Sequence, residues 1–393
     1  MTNGWRTDRR FSRSAMLTGA TLAVLAALAW GAGTLYKARA SRPLAVAVQL
    51  MRSRAVVFNP GVAGYYERLF GTTRDPMFMS PKEYERWASG FRDRTYDRTF
   101  RIYRLKPNLN RLFNTAEPQG LTTNSFGFLG PERALRKPPN TRRVAVLGDS
   151  LTQGWGVDQS RSYIALLENR LNAPDAAGTL QRFEVLNFSV PGYSLPQMLD
   201  VAAEDAPRFD PDLYILALTE LSVSRNWDNH LVRVVQLGID PKYDFLRDTV
   251  RDAGAVPGEN GLTVLAKLAP FRVPVIRATI ARLKALADAR RVPLLVLLVP
   301  SLEDGAMDSR RFSGIPELLA SLDVPVIDLL DTFDGTLDLE PLRINPFDVH
   351  PNARAHAMIS DNLYAKLRAC PGIWAALASA PSQEPPHGSR TRQ

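Results

Sequence analysis

Five short apolar runs, separated by stretches with helical periodicity, constrain the fold of this chain more than any other feature. The runs lie at residues 142–147, 183–190, 213–218, 293–299 and 326–330. They are nearly continuous in apolar residues, which is typical of strands covered on both faces. Helices are expected between and after them, at residues 163–171, 195–206, 262–290 (broken near residues 270–274), 315–321 and 352–367. This order predicts an α/β fold, a three-layer α/β/α sandwich around a parallel sheet of about five strands.

The first apolar run ends at Gly148-Asp149-Ser150-Leu151, where a strand is expected to give way to a helix. A serine at such a turn can hold its Oγ at the rim of the sheet, beside helix N–H groups. The Gly-x-Ser-x-Gly elbow of ordinary α/β-hydrolases is absent. A serine that only caps the helix fits the same residues, so these four residues alone leave both interpretations open.

Two later segments follow strands of the same sheet. Gly192 comes after the second strand, and Asp348-Val349-His350-Pro351-Asn352 comes after the fifth. The carboxyl ends of parallel strands share one edge, so both segments are expected near Ser150. His350 is then a candidate base, Asp348 a candidate to fix its tautomer, and the Gly192 N–H a candidate oxyanion donor. Helix capping by His350 and a turn that requires glycine at residue 192 are the alternatives.

Taken together in this order, the motifs resemble the SGNH/GDSL hydrolase family over roughly residues 120–368. Three segments look like a membrane-anchored bacterial branch of that family: residues 123–128, 148–157 and 187–194. The resemblance implies an SGNH, flavodoxin-like fold and a serine esterase. It implies that Ser150 is the nucleophile, His350 the base and Asp348 its orienter. It also implies an oxyanion hole formed by the N–H groups of Ser150 and Gly192.

The segment after the third strand departs from the family pattern. The family has Gly-x-Asn-Asp there, with the Asn side chain donating to the oxyanion, whereas this chain has Leu218-Thr219-Glu220-Leu221-Ser222. Loss of one such donor costs on the order of 3 kcal/mol in the barrier. Ser222, Asn226 and Thr219 are candidate replacements, and Glu220 would oppose the negative charge if it faced the site. Many relatives also place the aspartate three residues before the histidine. That position is Phe347 here, and Asp348 matches a variant spacing.

The N-terminal segment predicts a membrane anchor. Four arginines, at positions 6, 9, 10 and 13, precede an uncharged run from Ser14 to Tyr36. At 1.5 Å per residue a helix over this run would span roughly 34 Å, enough to cross a bilayer core. The arginines favour a cytoplasmic N-terminus and a catalytic body outside the cytoplasm. Ala38-Arg39-Ala40 also fits a signal-peptide cleavage site, which leaves cleavage as the alternative.

Composition narrows the partners. The formal charge of +9 is spread along the chain, and several cations flank the apolar run. This distribution favours an anionic membrane surface or acidic polymer over nucleic acid. The single cysteine, Cys370, allows no intrachain disulfide or cysteine-based zinc site. His230 is expected in a polar loop and His356 on a helix surface. No metal is expected, because no second His or Cys lies near His230. No nucleotide cofactor is expected, because Gly154-Trp155-Gly156 lacks the rest of a phosphate loop.

The sequence therefore divides into a basic N-terminus, an anchor, a juxtamembrane extension with some β structure, an SGNH-like domain and a partly disordered tail. The boundaries are residues 1–13, 14–36, 37–140, 141–368 and 369–393. The expected function is a membrane-anchored, extracytoplasmic or periplasmic Ser-His-Asp hydrolase that acts on esters. Its expected substrate is an acylated carbohydrate or lipid ester, by family analogy an O-acetylated polysaccharide. The alternatives are an O-acyltransferase for an envelope or exopolysaccharide and a non-catalytic glycan-binding relative.

Overall fold

A five-stranded parallel sheet forms the centre of the structure, a computed structural model. It describes residues 79–90, 93–110, 120–173, 182–223, 229–302, 312, 314–336, 338–346 and 348–378. The strands are β3 (Thr141–Leu147), β4 (Arg182–Asn187), β5 (Leu213–Leu218), β6 (Leu294–Leu298) and β7 (Val326–Asp328). Their order is β4-β3-β5-β6-β7, and every pair is parallel. The predicted five-stranded parallel sheet is confirmed.

Before this sheet lie α1 (Pro81–Ser89), β1 (Arg94–Tyr96) and β2 (Tyr103–Leu105). After β3 come α2 (Ser150–Gln153) and α3 (Tyr163–Leu171), and α4 (Leu195–Glu204) follows β4. Between β5 and β6 lie α5 (Glu220–Val223), α6 (Asn229–Gln236), α7 (Asp244–Asp252), α8 (Gly261–Leu268) and α9 (Arg272–Ala289). The last part contains α10 (Ile315–Ser321), β8 (Arg343–Asn345), β9 (Asp348–Pro351), α11 (Ala353–Arg368) and α12 (Pro371–Ala378).

Alternate residues of each strand pack against helices on opposite faces of the sheet. On one face Val144 and Val146 join a core with residues of α3 and α11, including Leu167 and Ile359. Ala145 is buried as well, and α4 and α9 contact each other on the remaining side. The helices thus cover the strands that the apolar runs predicted.

Several predicted boundaries change. Residues 82–98 are strongly charged, which predicts a solvated helix. The helix ends at Ser89, because Gly90 closes its last turn through N–H bonds to the carbonyls of Trp87 and Ala88. Strand β1 then begins at Arg94. The expected break in the 262–290 helix is present, as a 3-10 turn at Ala269–Phe271 between α8 and α9.

The predicted tail, residues 369–393, contains helix α12. Helix α12 continues the fold beyond residue 368 and buries Ile373 and Leu377 in the same core as α11. The remainder of the tail, residues 379–393, lies outside the described residues.

The membrane prediction at residues 14–36 also lies outside the described residues. Within the part of the chain that the structure describes, none of the helices combines the length and the apolar character that a membrane crossing needs.

The β1–β2 hairpin, which we call the extension hairpin, is antiparallel, with Tyr96 opposite Tyr103. It is fixed to α4 by Arg101, which is almost fully buried. The Arg101 guanidinium donates from Nε to Asp200 at 2.5 Å and from Nη1 to Asp205. Gln197 of α4 in turn donates to the Arg101 carbonyl at 2.8 Å. A buried guanidinium with two carboxylates resists displacement, since removal of one partner leaves a charge unpaired.

Candidate active site

The turn after β3 places Ser150 at the edge of the sheet. Asp149 is the N-cap of α2 and accepts the Leu151 N–H at 3.0 Å, so Ser150 is the first residue of the helix and not its cap. Gly148 is required at this turn, because a Cβ there would lie 2.6 Å from the Thr152 Cβ. The local sequence therefore determines where the Ser150 hydroxyl lies.

His350 connects Ser150 with Asp348. Its Nε2 is 2.8 Å from the Ser150 Oγ, and its Nδ1 is 2.6 Å from Oδ1 of Asp348. Asp348 is fully buried, whereas the His350 side chain is 14% exposed. With the Nδ1–H directed at a carboxylate, Nε2 remains to accept the hydroxyl proton of the serine. The two distant segments that the sequence predicted to meet are in hydrogen-bond contact.

The β8–β9 hairpin, which was not predicted, carries both residues. Asn352 joins it to α11: the amide nitrogen donates to the carbonyls of Pro341 and Arg343 at 2.8 and 3.0 Å. The amide oxygen accepts the N–H groups of Arg354 and Ala355 at the start of the helix. This asparagine both closes the hairpin and caps the helix.

Trp155 is a site residue that the sequence reasoning missed. Its indole N–H donates to the second oxygen of Asp348, Oδ2, at 3.1 Å. Its ring also stacks on the His350 imidazole, with centroids 5.6 Å apart and planes at 30°. The Gly154-Trp155-Gly156 stretch, considered above as a phosphate loop, instead brings an aromatic donor to the carboxylate–imidazole pair. An indole N–H needs a partner when buried, and this requirement was the available signal.

Two backbone N–H groups are candidates for binding an oxyanion. Ser150, as the first helical residue, has an N–H without an intrahelical acceptor. Gly192 is exposed and adopts a φ of +77°, which favours glycine. Among the described residues neither N–H donates to a protein acceptor.

The hydroxyl groups of the segment after β5 bind Asp149. The Thr219 hydroxyl donates to Oδ2 of Asp149 at 2.6 Å, and the Ser222 hydroxyl donates to the same oxygen at 3.2 Å. Burial raises the pKa of Asp149, and these hydrogen bonds oppose that rise. The Ser222 and Thr219 protons are thus directed at Asp149, and the structure gives no support to their predicted role as oxyanion donors. Asn226 lies outside the described residues, and Glu220 is buried on α5.

The expectations for the two remaining described histidines are wrong. His356 is fully buried on α11, where its Nδ1 accepts the Tyr163 N–H at 3.3 Å and its ring stacks on the tyrosine. His230 lies in α6, buried against Phe100 rather than in a polar loop. Burial lowers the pKa of His356 to about 3 and that of His230 to about 4. Both side chains pack in the interior as neutral rings.

The described residues contain no group of three or more His, Cys, Asp or Glu side chains that could hold a metal ion. Hydrogen bonds join a serine hydroxyl, an imidazole and a buried carboxylate in a line. These three groups are the components of acyl transfer through a serine.

This geometry is that of the serine hydrolases, and the sequence comparison specifies the family. The GDSL-like lipase/acylhydrolase family model matches residues 146–358, more than half of the chain. The chain belongs to this family and is an SGNH-type esterase that acts on ester substrates. No curated protein matches the sequence.

Several solved structures resemble the chain at low identity. TesA has 16% identity with a TM-score of 0.39, over 58% of this chain and 99% of TesA. A two-domain esterase (CEX) active on acetylated mannans has 14% identity and a TM-score of 0.38, over 62% of this chain and 52% of that one. A mutant of Axe2, an acetyl-xylooligosaccharide esterase from Geobacillus Stearmophilus, has 14% identity and a TM-score of 0.38, over 58% and 93% of the two chains.

Proposed function

We propose that Ser150, His350 and Asp348 are the catalytic triad of this esterase, with the N–H groups of Ser150 and Gly192 as the oxyanion donors. The observation that carries the proposal is the position of His350, which contacts the serine hydroxyl with one ring nitrogen and the carboxylate with the other. A hydroxyl is a weak nucleophile at its ordinary pKa and needs an adjacent base of this kind.

The reaction follows from these contacts. The Ser150 Oγ attacks the ester carbonyl carbon while its proton passes to Nε2 of His350, and the carbonyl oxygen becomes an oxyanion facing the two N–H groups. The tetrahedral intermediate then releases the alcohol, which takes the proton from His350. Water repeats the sequence on the acyl-serine, and a carboxylic acid leaves. Asp348 keeps the imidazole in the required tautomer and stabilises its cationic form.

The test is hydrolysis of 4-nitrophenyl acetate by Ser150→Ala, with Ser160→Ala as a matched control. Ser160 is a hydroxyl outside the site that bonds to Asp158. Ser150→Ala should lose at least about 10³-fold in kcat, since triad removal leaves only binding and oxyanion stabilisation. Ser160→Ala should keep its activity. Unchanged turnover in Ser150→Ala would exclude the proposed triad.

For the substrate we propose an O-acetylated carbohydrate. The described surface supports a polar substrate: its exposed large apolar side chains are Leu135, Val256 and Val273, which lie in separate segments. An enzyme that works at a lipid interface usually presents a contiguous apolar patch. Rates on 4-nitrophenyl acetate and palmitate, together with acetate release from acetylated polysaccharide, test this substrate class. Faster palmitate hydrolysis would contradict it.

Labelled acetyl groups that appear on glycan rather than as free acetate would identify transfer.

For the location we propose that residues 14–36 anchor the chain in the inner membrane with the catalytic domain outside the cytoplasm. The support is the uncharged run behind four arginines. Leu25→Arg places a charge at the centre of this run, which costs about 3 kcal/mol on insertion scales. The wild-type chain should stay with membranes after alkaline washing and be accessible to protease in spheroplasts, and Leu25→Arg should be released. The mass of the mature chain reports retention or cleavage after Ala40.

A further inference from the structure

Tyr103, in the extension hairpin, contacts the loop that carries Gly192. Its hydroxyl donates to the Pro191 carbonyl at 2.7 Å. That carbonyl and the Gly192 N–H belong to the same peptide group. The group is planar and trans, so its C=O and N–H point in opposite directions, and fixing one fixes the other.

We propose that Tyr103 is a positioning residue for the oxyanion hole: its hydroxyl holds the Pro191–Gly192 peptide so that the Gly192 N–H faces the carbonyl oxygen of the substrate. This inference rests on the proposed role of the Gly192 N–H. It assigns part of the active site to a segment upstream of residues 146–358, the range that the family model matches.

The packing around the peptide supports this role. A Cβ on Gly192 would lie 2.9 Å from the Tyr103 hydroxyl, which shows how closely the tyrosine borders the donor residue. The contact is reciprocal, because the Tyr193 hydroxyl donates to the Tyr103 carbonyl at 2.6 Å and the two rings lie 5.3 Å apart. Strand and loop are therefore joined on both sides of Gly192.

Two physical effects follow from the hydrogen bond. It restricts rotation of the peptide, and donors already aimed at the developing charge need no reorganisation during reaction. It also polarises the peptide, because a carbonyl that accepts a hydrogen bond makes its N–H a stronger donor. Burial raises the pKa of the Tyr103 hydroxyl, so the hydroxyl retains its proton at working pH.

Anchoring of the hairpin makes the tyrosine a fixed reference. Arg101, two residues before Tyr103, is held by Asp200 and Asp205 of the α4 region. A positioning hydrogen bond is useful only if its donor is itself immobile. The buried ion pairs supply that immobility.

The experiment compares Tyr103→Phe with Tyr96→Phe in the full-length chain. Tyr96 is the cross-strand partner of Tyr103, and its hydroxyl contacts Glu85, away from the Gly192 loop. Each variant loses one phenolic hydroxyl from the same hairpin. For Tyr103→Phe we expect kcat for 4-nitrophenyl acetate to fall about 10-fold with KM unchanged, less than the 10²–10³ that follows loss of a whole oxyanion donor. The kcat of Tyr96→Phe should stay within about twofold of wild type, because the Tyr96 hydroxyl does not contact the Gly192 loop.

Phosphorylation of Ser150 by diethyl 4-nitrophenyl phosphate, which releases 4-nitrophenolate and leaves a diethylphosphoryl-serine, gives a second readout. This reaction also develops charge on an oxygen beside the nucleophile, so Tyr103→Phe should slow it by a factor similar to that in kcat. A general loss of stability would lower the melting temperatures of Tyr103→Phe and Tyr96→Phe. It would not slow kcat and the reaction with the phosphate ester by the same factor. Tyr193→Phe leaves the Tyr103 hydroxyl in place but releases its strand, and it should lose less activity than Tyr103→Phe.

The inference is overturned if Tyr103→Phe keeps wild-type kcat, if the loss lies in KM, or if Tyr96→Phe loses as much. If Tyr103→Phe fails to fold, Tyr193→Phe decides: wild-type kcat and phosphorylation rates in that variant overturn the inference. Ser150→Ala separates this failure from failure of the proposed function. An inactive Ser150→Ala with a fully active Tyr103→Phe refutes the role of Tyr103 alone.

Discussion

The two sides of Ser150 use their polar groups differently. On one side, which we call the hairpin side because it includes the β8–β9 hairpin, a line of hydrogen bonds ends at the serine hydroxyl. It runs from Trp155 through Asp348 and His350. On the β5 side, the hydroxyls of Thr219 and Ser222 converge on Asp149, the residue before the serine. The first arrangement suits movement of a proton, and the second holds a backbone turn. Polar side chains near a nucleophile therefore do not by themselves indicate a catalytic role. The direction of each hydrogen bond must be known first.

The sharpest test of the hairpin side is Asp348→Asn. The amide cannot accept the Nδ1–H as a carboxylate does, so His350 would present the wrong tautomer to Ser150. We expect kcat to fall by about 10³- to 10⁴-fold with little change in the fold. Turnover of 4-nitrophenyl acetate and the circular dichroism spectrum measure the two effects. A loss below 10-fold would show that Asp348 does not act on the base.

Helix α11, which follows the β8–β9 hairpin, carries His356, and the burial of this imidazole makes the stability of the fold depend on pH. The folded pKa values of His356 and His230 are about 3 and about 4, whereas an unfolded histidine titrates near 6.5. Below pH 6.5 the unfolded chain binds more protons than the folded chain, so stability is lost as pH falls toward these values. His230 alone should account for a loss of about 3 kcal/mol between pH 6.5 and 4.

Urea denaturation at pH 7, 6 and 5 measures this slope, and His356→Phe should make it shallower. The raised pKa of Asp149 acts in the opposite direction, because that carboxyl binds its proton more readily when folded. A slope unchanged in His356→Phe would mean that the imidazole is not held neutral in the core.

Trp155→Phe keeps an aromatic ring on His350 and removes the indole donor to Asp348. The carboxylate loses one of its hydrogen bonds, and we expect kcat to fall about 10-fold, comparable with the loss of one charge-assisted hydrogen bond. KM should be unchanged. The same kcat as wild type would reduce Trp155 to a packing role.

The smallest effects are expected on the β5 side. Thr219→Val keeps the shape of the side chain and removes its donor to Asp149, which should lower stability by about 1–2 kcal/mol. Because these hydroxyls hold a turn rather than a transition state, kcat should change less than in Trp155→Phe. The kcat of Thr219→Val is measured beside that of Ser222→Ala. A loss larger than in Trp155→Phe would indicate that this segment does contribute to oxyanion binding.

The sheet and the meeting of Ser150 with His350 were predictable, because apolar runs define buried strands and parallel strands share one edge. The contacts of Trp155 and Tyr103 were not, since each is made with a residue far away in sequence. The burial of His356 was missed for the same reason: Tyr163 covers it from a different helix. Local pattern reports the period of an element, but not what packs against it.

Asn352 links the β8–β9 hairpin, which carries His350 and Asp348, to the stability of α11. The amide that closes the hairpin also starts the helix, and Ile359 and Leu363 of that helix lie in the core. Fraying of the first helical turn would release the strand that carries His350, so the proposed base is in place only while this helix end remains folded. Hydrogen exchange at Arg354 and Ala355 should therefore report how often the enzyme visits an inactive state.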